Sequence, residues 1–305
     1  MTKRAKTAAL LIAAAMCFSL IVIPASADES APVAENLELT TYRGVSIGGR
    51  LEADDPGELE LTFEITTEPV KGKVELQEDG SFVYTPGEGK KGRDYFGYRA
   101  INSDGVASQE ATVIIRIEKQ KTSVTYSDMG GNGSGYAAVL LAEKGVYTGK
   151  CIGGKYVFSP DEDMTRAEFL SMCMSLGDVD MISAVRSTGF SDDTDIPAWA
   201  KPCVSTALLN GYISGSESDG RTVFEADRPI TRAEAAVMLS RVLGITNLVS
   251  VAQYDSEIVP AWAAAQTAGL EARSIINVSD GMYETLSRAD AADILASAIE
   301  FLSED

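Results

Sequence analysis

Three stretches share one pattern: "MTRAEFLSMCMSLG" at 164–177, "ITRAEAAVMLSRVLG" at 230–244 and "LSRADAADILASAIE" at 286–300. In each, a hydroxyl residue, an arginine, an alanine and an acid open an apolar-rich run. Thr165 with Glu168, Thr231 with Glu234, and Ser287 with Asp290 have the spacing of a capping box. The hydroxyl accepts a hydrogen bond from a first-turn N–H, and the acid accepts one from the cap residue's own N–H. Each box contributes about 1 kcal/mol, and Asp290 is the shorter, weaker version. Capping leaves the arginine unexplained. A cation in the first turn opposes the helix dipole, yet Arg166, Arg232 and Arg288 stand there three times. Three such starts constrain the chain to a repeated helical unit.

A second shared element lies upstream. "GFSDDTDIPAWAKPCVSTALLNGYISG" precedes the middle start and "QYDSEIVPAWAAAQTAGLEARSI" the last, sharing Pro-Ala-Trp-Ala around Trp199 and Trp262. "TYSDMGGNGSGYAAVLLAEKGVYTG" precedes the first, with Tyr136 in the tryptophan position. Each unit thus reads as an Asp-bearing turn, a helix opening on an aromatic, a variable loop and a capped helix. The starts at Thr165, Thr231 and Ser287 lie 66 and 56 residues apart, which places the insertions in the loops. In the middle unit Ala233, Ala236 and Val237 give an apolar helical face.

Residues 33–118 follow a different period. "LELTTY", "LELTFEI", "KVELQ", "SFVYTP", "DYFGYRAI" and "ATVIIRIE" are short, β-branched and aromatic-rich, and separated by turn residues. Asp79-Gly80 marks a hairpin and Asp104-Gly105 a turn before the last strand. About seven short strands predict an antiparallel sandwich with Greek-key connections. The polar "KQKTSVTYSD" at 119–128 has neither period and predicts the linker.

Lys3, Arg4 and Lys6, the apolar run Ala8 to Ile23, and Ala25-Ser26-Ala27 predict a secretory signal peptide over 1–27. The alternative is a retained anchor, but no basic residue follows before Arg43 to stop transfer. No other stretch has the roughly 18 apolar residues of a membrane span. Removing the leader removes three basic residues and no acid, so the net charge moves from −19 to −22. Such acidity disfavours nucleic acid. Histidine is absent, which excludes a Ser-His-Asp triad, a Cys-His pair and imidazole metal sites. Carboxylate-based glycan hydrolysis stays open, since it needs only two acids. Cys151, Cys173 and Cys203 fit no zinc spacing, and their pairing is open. Asp54 and Asp55 are candidates for a calcium site or, alternatively, an exposed acidic turn before Pro56.

"EPVKGKVELQEDGSFVYTPGEGKKGRDYFGYRA" resembles the cadherin-like and immunoglobulin-like modules of bacterial surface proteins, which serve as spacers or adhesive units. The "TRAE" helix, the "FSD…PAWA" helix and the "GYISG" turn resemble the S-layer homology module across about 127–303. That resemblance implies a pseudo-threefold all-α bundle of three repeats. Its grooves would bind a secondary cell-wall polysaccharide bearing a pyruvate ketal, attached to peptidoglycan of Gram-positive walls. By position, Arg166, Arg232 and Arg288 would grip the acidic group, or alternatively lie on an exposed helix face. Tyr136, Trp199 and Trp262 would wall the grooves or belong to the core. Asp128, Asp192 and Asp255 occupy the aspartate position of the resemblance, as ligand contacts or caps. Gly145 with Gly149, and Gly211 with Gly215, match its G-x-x-x-G turn. A guanidinium offers a planar fork to a carboxylate, and free N–H groups at a helix start favour an anion.

The middle copy fits this pattern throughout, which makes the Arg232 region the first choice of site. The first copy lacks tryptophan and carries "GGNGSGY". In the third, Arg273 falls at the second glycine, so its groove is expected to be altered or empty.

The expected organisation is a signal peptide (1–27), an immunoglobulin- or cadherin-like β-sandwich (28–119), a linker (120–126) and three helical repeats (127–183, 189–246, 250–305). The expected function is non-enzymatic, cofactor-free anchoring of a secreted protein to the wall. The alternatives are a calcium-dependent adhesin acting through the sandwich and a secreted glycan hydrolase.

Overall fold

The computed structural model describes residues 31–245 and 254–304. The expected leader (1–27), residues 28–30 of the sandwich, and residues 246, 250–253 and 305 of the last two units lie outside the described residues. Nine strands come first: β1 (Val33–Ala34), β2 (Leu37–Tyr42), β3 (Ile47–Arg50), β4 (Ala53–Asp54), β5 (Leu61–Thr67), β6 (Gly72–Leu76), β7 (Ser81–Pro86), β8 (Gly92–Asn102) and β9 (Ala111–Glu118). Strands β2-β9-β8-β5 form one sheet and β3-β7-β6 another, with β1–β4 a short ribbon.

Alternation decides which side chains go inward. Along β9, Ala111, Val113, Ile115 and Ile117 are buried while their neighbours are not. They meet Phe82, Tyr84, Phe96 and Tyr98 between the sheets, with Phe82 and Phe96 edge to face at 5.2 Å. The buried phenols find partners: Tyr84 donates to Asp94 Oδ2 at 2.7 Å and Tyr98 to the Glu52 carbonyl at 2.8 Å. Asp79-Gly80 closes the β6–β7 hairpin, with Gly80 at φ 82°.

One expectation is corrected. The sandwich is not purely antiparallel, because β2 runs parallel to β9, from Leu37 opposite Val113 to Tyr42 opposite Glu118. A period of two fixes which face is buried and says nothing about strand direction.

The rest is mostly helical: α1 (Gly135–Glu143), α2 (Arg166–Leu176), α3 (Lys201–Leu209), α4 (Arg232–Val242), α5 (Ala264–Glu271) and α6 (Arg288–Glu304). It is not all-α. Two hairpins, β10 (Lys150–Ile152) with β11 (Lys155–Val157) and β12 (Ser216–Ser218) with β13 (Arg221–Val223), occupy the loops inside the first two units. Gly153-Gly154 and Asp219-Gly220 turn them, all four with positive φ, as a type I′ hairpin turn requires. The third unit has a 3₁₀ turn, Val278–Asp280, instead.

The three helix pairs close on one another in a ring. Ile230 N–H donates to the Met164 carbonyl (2.9 Å), Met164 to Leu286 (2.8 Å) and Leu286 to Ile230 (2.9 Å). A single apolar core runs beneath them, with Phe158, Phe169, Phe224, Leu239, Leu270 and Leu295 buried in it. The segment expected as a linker is packed: Val124 is buried, Gln120 bonds the carbonyls of Thr122 and Val124, and Lys121 N–H donates to Glu143.

Candidate functional site

All three capping boxes form. Glu168 N–H donates to Thr165 Oγ1 at 3.2 Å, Glu234 N–H to Thr231 Oγ1 at 3.3 Å, and Asp290 N–H to Ser287 Oγ at 3.1 Å. The acids accept in return from the N–H groups of Thr165, Thr231 and Ser287 at 3.2, 3.1 and 2.9 Å.

The same acids are the partners of the arginines, one unit on. Arg166 Nη1 lies 3.0 Å from Glu234, Arg232 Nη2 3.5 Å from Asp290, and Arg288 Nη2 3.7 Å from Glu168, so the third pair leads back to the first unit. The three residues are 5, 7 and 3% exposed. They lie neither on a solvated helix face nor as an open fork. Arg166 Nε also donates to the Phe224 carbonyl at 2.9 Å and its guanidinium sits 5.4 Å from the centre of that ring. Arg288 Nη1 donates to the Phe158 carbonyl (3.0 Å) and to Glu162 (2.9 Å). Burial lowers the Arg166 pKa while Glu234 opposes it. Burial raises the Glu234 carboxyl, but Arg228's hydrogen bond, Arg166 and the Thr231 N–H outweigh it and hold it below its ordinary 4.5.

The first-turn N–H groups are not free either. Those of Arg166, Arg232 and Arg288 donate to the carbonyls of Arg228, Glu284 and Glu162 at 3.0, 2.9 and 2.8 Å. Those of Ala167, Ala233 and Ala289 donate to Ala226, Met282 and Pro160, each at 3.0 Å. The helix starts are sewn into the next unit, which removes the free-amide argument for an anion at these ends.

Two of the aspartates grip loops. Asp192 accepts from the N–H groups of Phe224 (2.9 Å) and Glu225 (2.7 Å), and Asp128 from those of Phe158 (3.0 Å) and Ser159 (2.7 Å). Glu225 and Ser159 have φ of 59° and 58°, so each aspartate holds a left-handed turn. The carbonyls of those same phenylalanines receive Arg166 and Arg288. Asp255 instead accepts from Glu257 N–H at 2.9 Å, at the entry to its own helix.

Gly149 and Gly215 have φ of 71° and 74°, and a Cβ would come within 2.4 Å of the Val157 carbonyl oxygen and 2.5 Å of the Phe190 ring. They are required by the hairpins. In the third unit the alignment expected from sequence shifts. The helix-exit bonds Val146→Leu141, Tyr212→Ala207 and Ile275→Leu270 put Ser274, at φ 53°, in the first glycine position, and the second falls on Val278 rather than Arg273.

A groove of about 310 Å³ opens at the middle unit. It brings together Arg166, Gly215 and Glu234 with Trp262 of the following unit, and adds Tyr212, Ser214, Met238 and Arg241. Trp199 and Trp262 are 56 and 60% exposed, so they are not core residues. Arg241 is half-buried, with its Nη1 3.4 Å from the Tyr212 carbonyl. No sequence expectation pointed to it, because the repeat carries Ser175 and Ser297 at that register. The charge difference between units was the missed signal. Arg232 lies elsewhere, in a cleft of about 510 Å³ with Glu271, Asp280, Asp290 and Asp293, a poor setting for an anion.

Asp55 is an anchor of its turn: Oδ2 accepts from Gly57 and Leu59 N–H at 2.9 and 3.0 Å, and Oδ1 from Asn102 at 2.9 Å. Asp54 lies in β4 opposite Val33. Among the described residues no group of three or more Cys, Asp or Glu is placed to hold a metal ion. Cys173 and Cys203 are buried free thiols and Cys151 an exposed one; burial pushes Cys203 up to about 12.

Residues 28–119 match the family model of the bacterial cadherin-like domain, and residues 189–236 that of the S-layer homology domain. The surface-layer 125 kDa protein of Lysinibacillus sphaericus is 27% identical over 173 residues, 56% of this chain; the chain spans 13% of that relative's length. Among solved structures, an endo-fucoidan hydrolase of glycoside hydrolase family 107 overlays 31% of this chain and 14% of its own, at 17% identity and a TM-score of 0.25. Human protocadherin-24 EC1-2 overlays 30% of this chain and 53% of its own, at 14% identity and a TM-score of 0.25. The chain carries a bacterial cadherin-like domain over residues 28–119 and an S-layer homology domain over residues 189–236.

Proposed function

We propose that this chain attaches non-covalently to the cell surface by binding an acidic wall polysaccharide, and that its three helix pairs are three S-layer homology repeats. The sandwich is carried outward as a spacer or displayed module. One observation carries this reading: the middle groove sets an under-committed guanidinium, Arg241, near an exposed indole, Trp262, over a floor built by Gly215 and Arg166. A guanidinium fork pairs with a carboxylate such as a pyruvate ketal. An indole face packs on the apolar side of a sugar ring. The three motif arginines then hold the ring together, and Arg166 braces the groove floor from beneath while Arg241 meets the ligand.

The groove does not suit hydrolysis. Its carboxylate, Glu234, is held ionised between Arg166 and Arg228, whereas a glycosidase acid needs a raised pKa and a second carboxylate across the bond. The test is retention of the full chain on purified sacculi, before and after the secondary polymer is stripped. Retention is expected to vanish with the polymer, and equal retention on both would contradict the proposal.

A further inference from the structure

The three junctions are built on one plan, so their grooves compare position by position. Counting from the capping acid, Val237 and Arg241 of α4 correspond to Asp293 and Ser297 of α6. The helix-exit bonds of Tyr212 and Ile275 align Ser214 with Asn277. Trp262, which walls the middle groove, corresponds to Tyr136, because the third junction closes back onto the first unit. The cleft there is lined by Arg232, Asn277, Asp290, Asp293 and Ser297, and also by Glu52 of the sandwich. It has lost the Arg241 cation and gained an acid. Asp293 is exposed at the surface, while the protein atoms crowded around its carboxyl, with Asp290 adding to them, push it up to about 6 against the Ser134 hydrogen bond.

Tyr136 itself lines an adjoining cleft of about 1050 Å³, which shares Asp280, Asp293 and Ser297 with this one and is walled by Tyr42 and β3, and its ring is engaged there. The Tyr136 ring packs on Tyr42 of β2 at 5.3 Å, and its hydroxyl donates to Glu300 at 3.0 Å. Tyr136 N–H donates to the Ser46 carbonyl at 3.0 Å, and Gly48 N–H to the Gly133 carbonyl at 2.7 Å, so the outer edge of β3 is covered. A Cβ on Gly135 would lie 2.8 Å from the Ser46 oxygen. The "GGNGSGY" segment is therefore the seam between the two parts, and Gly133 and Gly135 permit the close approach.

We propose that the cadherin-like domain is the built-in partner of the third groove: it docks across that groove's aromatic wall through Tyr42 and β3, taking the junction away from glycan binding and holding the sandwich as a rigid extension of the anchor. An acidic sugar meets an acidic cleft there without a free-facing arginine. The docking stands apart from the anchoring reading; only the glycan consequence rests on it.

Hydrogen exchange on the full chain tests the seam. The Gly48 and Tyr136 amides are expected to be protected, and Tyr42→Ala and Gly135→Ala are each expected to speed their exchange at least tenfold while β8 and β9 amides stay unchanged. Unprotected exchange at both amides in the wild type, or protection unchanged in both variants, overturns the docking. Ser297→Trp, which fills the third groove, is expected to leave retention on polymer-bearing sacculi within twofold; a tenfold drop overturns the assignment of that groove. Loss of sacculus binding by the wild type sinks the anchoring proposal and leaves the seam intact.

Discussion

At the scale of single residues, the motif arginine answers the question its position raises. A first-turn cation is unfavourable toward its own helix, but Arg166, Arg232 and Arg288 each face the capping acid of the next unit. One acid thus caps its own helix and neutralises its neighbour's arginine. The capping boxes were legible in the sequence because both partners lie three residues apart. The arginine's partner was not, since it sits one repeat away and pairing across repeats leaves no local spacing to read. Arg166→Ala leaves Glu234 paired with Arg228 but removes the buried guanidinium that bonds the Phe224 carbonyl, so it is expected to destabilise the fold by about 1.5–3 kcal/mol in urea unfolding. A solvated helix arginine would cost within about 0.5 kcal/mol. The Glu234 pKa is depressed in the fold, so its contribution is fully present above its ordinary 4.5 and is lost as pH falls through the folded value. Glu234→Gln should therefore flatten the acid limb of a stability–pH curve, leaving the slope above pH 5 unchanged.

At the scale of elements, the periods separated sheet from helix correctly, and Asp79-Gly80 marked a true hairpin. What the pattern could not supply was direction, hence the parallel β2–β9 pair. The hairpins inside the first two units were missed although Gly153-Gly154 and Asp219-Gly220 announce them; flanking strands of three residues are too short to show alternation. The glycine pattern was seen but belongs to these hairpins first. Gly211 and Gly215 both have positive φ, yet a Cβ on Gly211 meets open space while one on Gly215 strikes Phe190 and the Val223 carbonyl. Gly211→Ala is expected to cost about 1 kcal/mol from backbone strain alone, and Gly215→Ala clearly more, as read from thermal midpoints. Equal costs would mean that the hairpin yields freely.

At the scale of the whole molecule, residues 126–305 carry 26 acids against 12 basic residues. An anionic polymer is repelled at long range, and screening acts over about 8–10 Å. Binding through one local cation should therefore gain little as salt is lowered, and a steep gain would indicate diffuse charge attraction. The acidity, the absence of histidine and the repeat were all readable from the chain. The position of the groove was not, because its walls come from three different units: Arg166, the stretch around Gly215, and Trp262. The central claim divides two roles, arginines that hold the ring and one that meets the glycan. The direct measurement is the affinity of Arg241→Gln for polymer-bearing sacculi, taken together with its urea midpoint. Losing a charged hydrogen bond of about 1.5–3 kcal/mol predicts binding weaker by roughly 10- to 100-fold at an unchanged midpoint. Wild-type affinity in that variant would contradict the account.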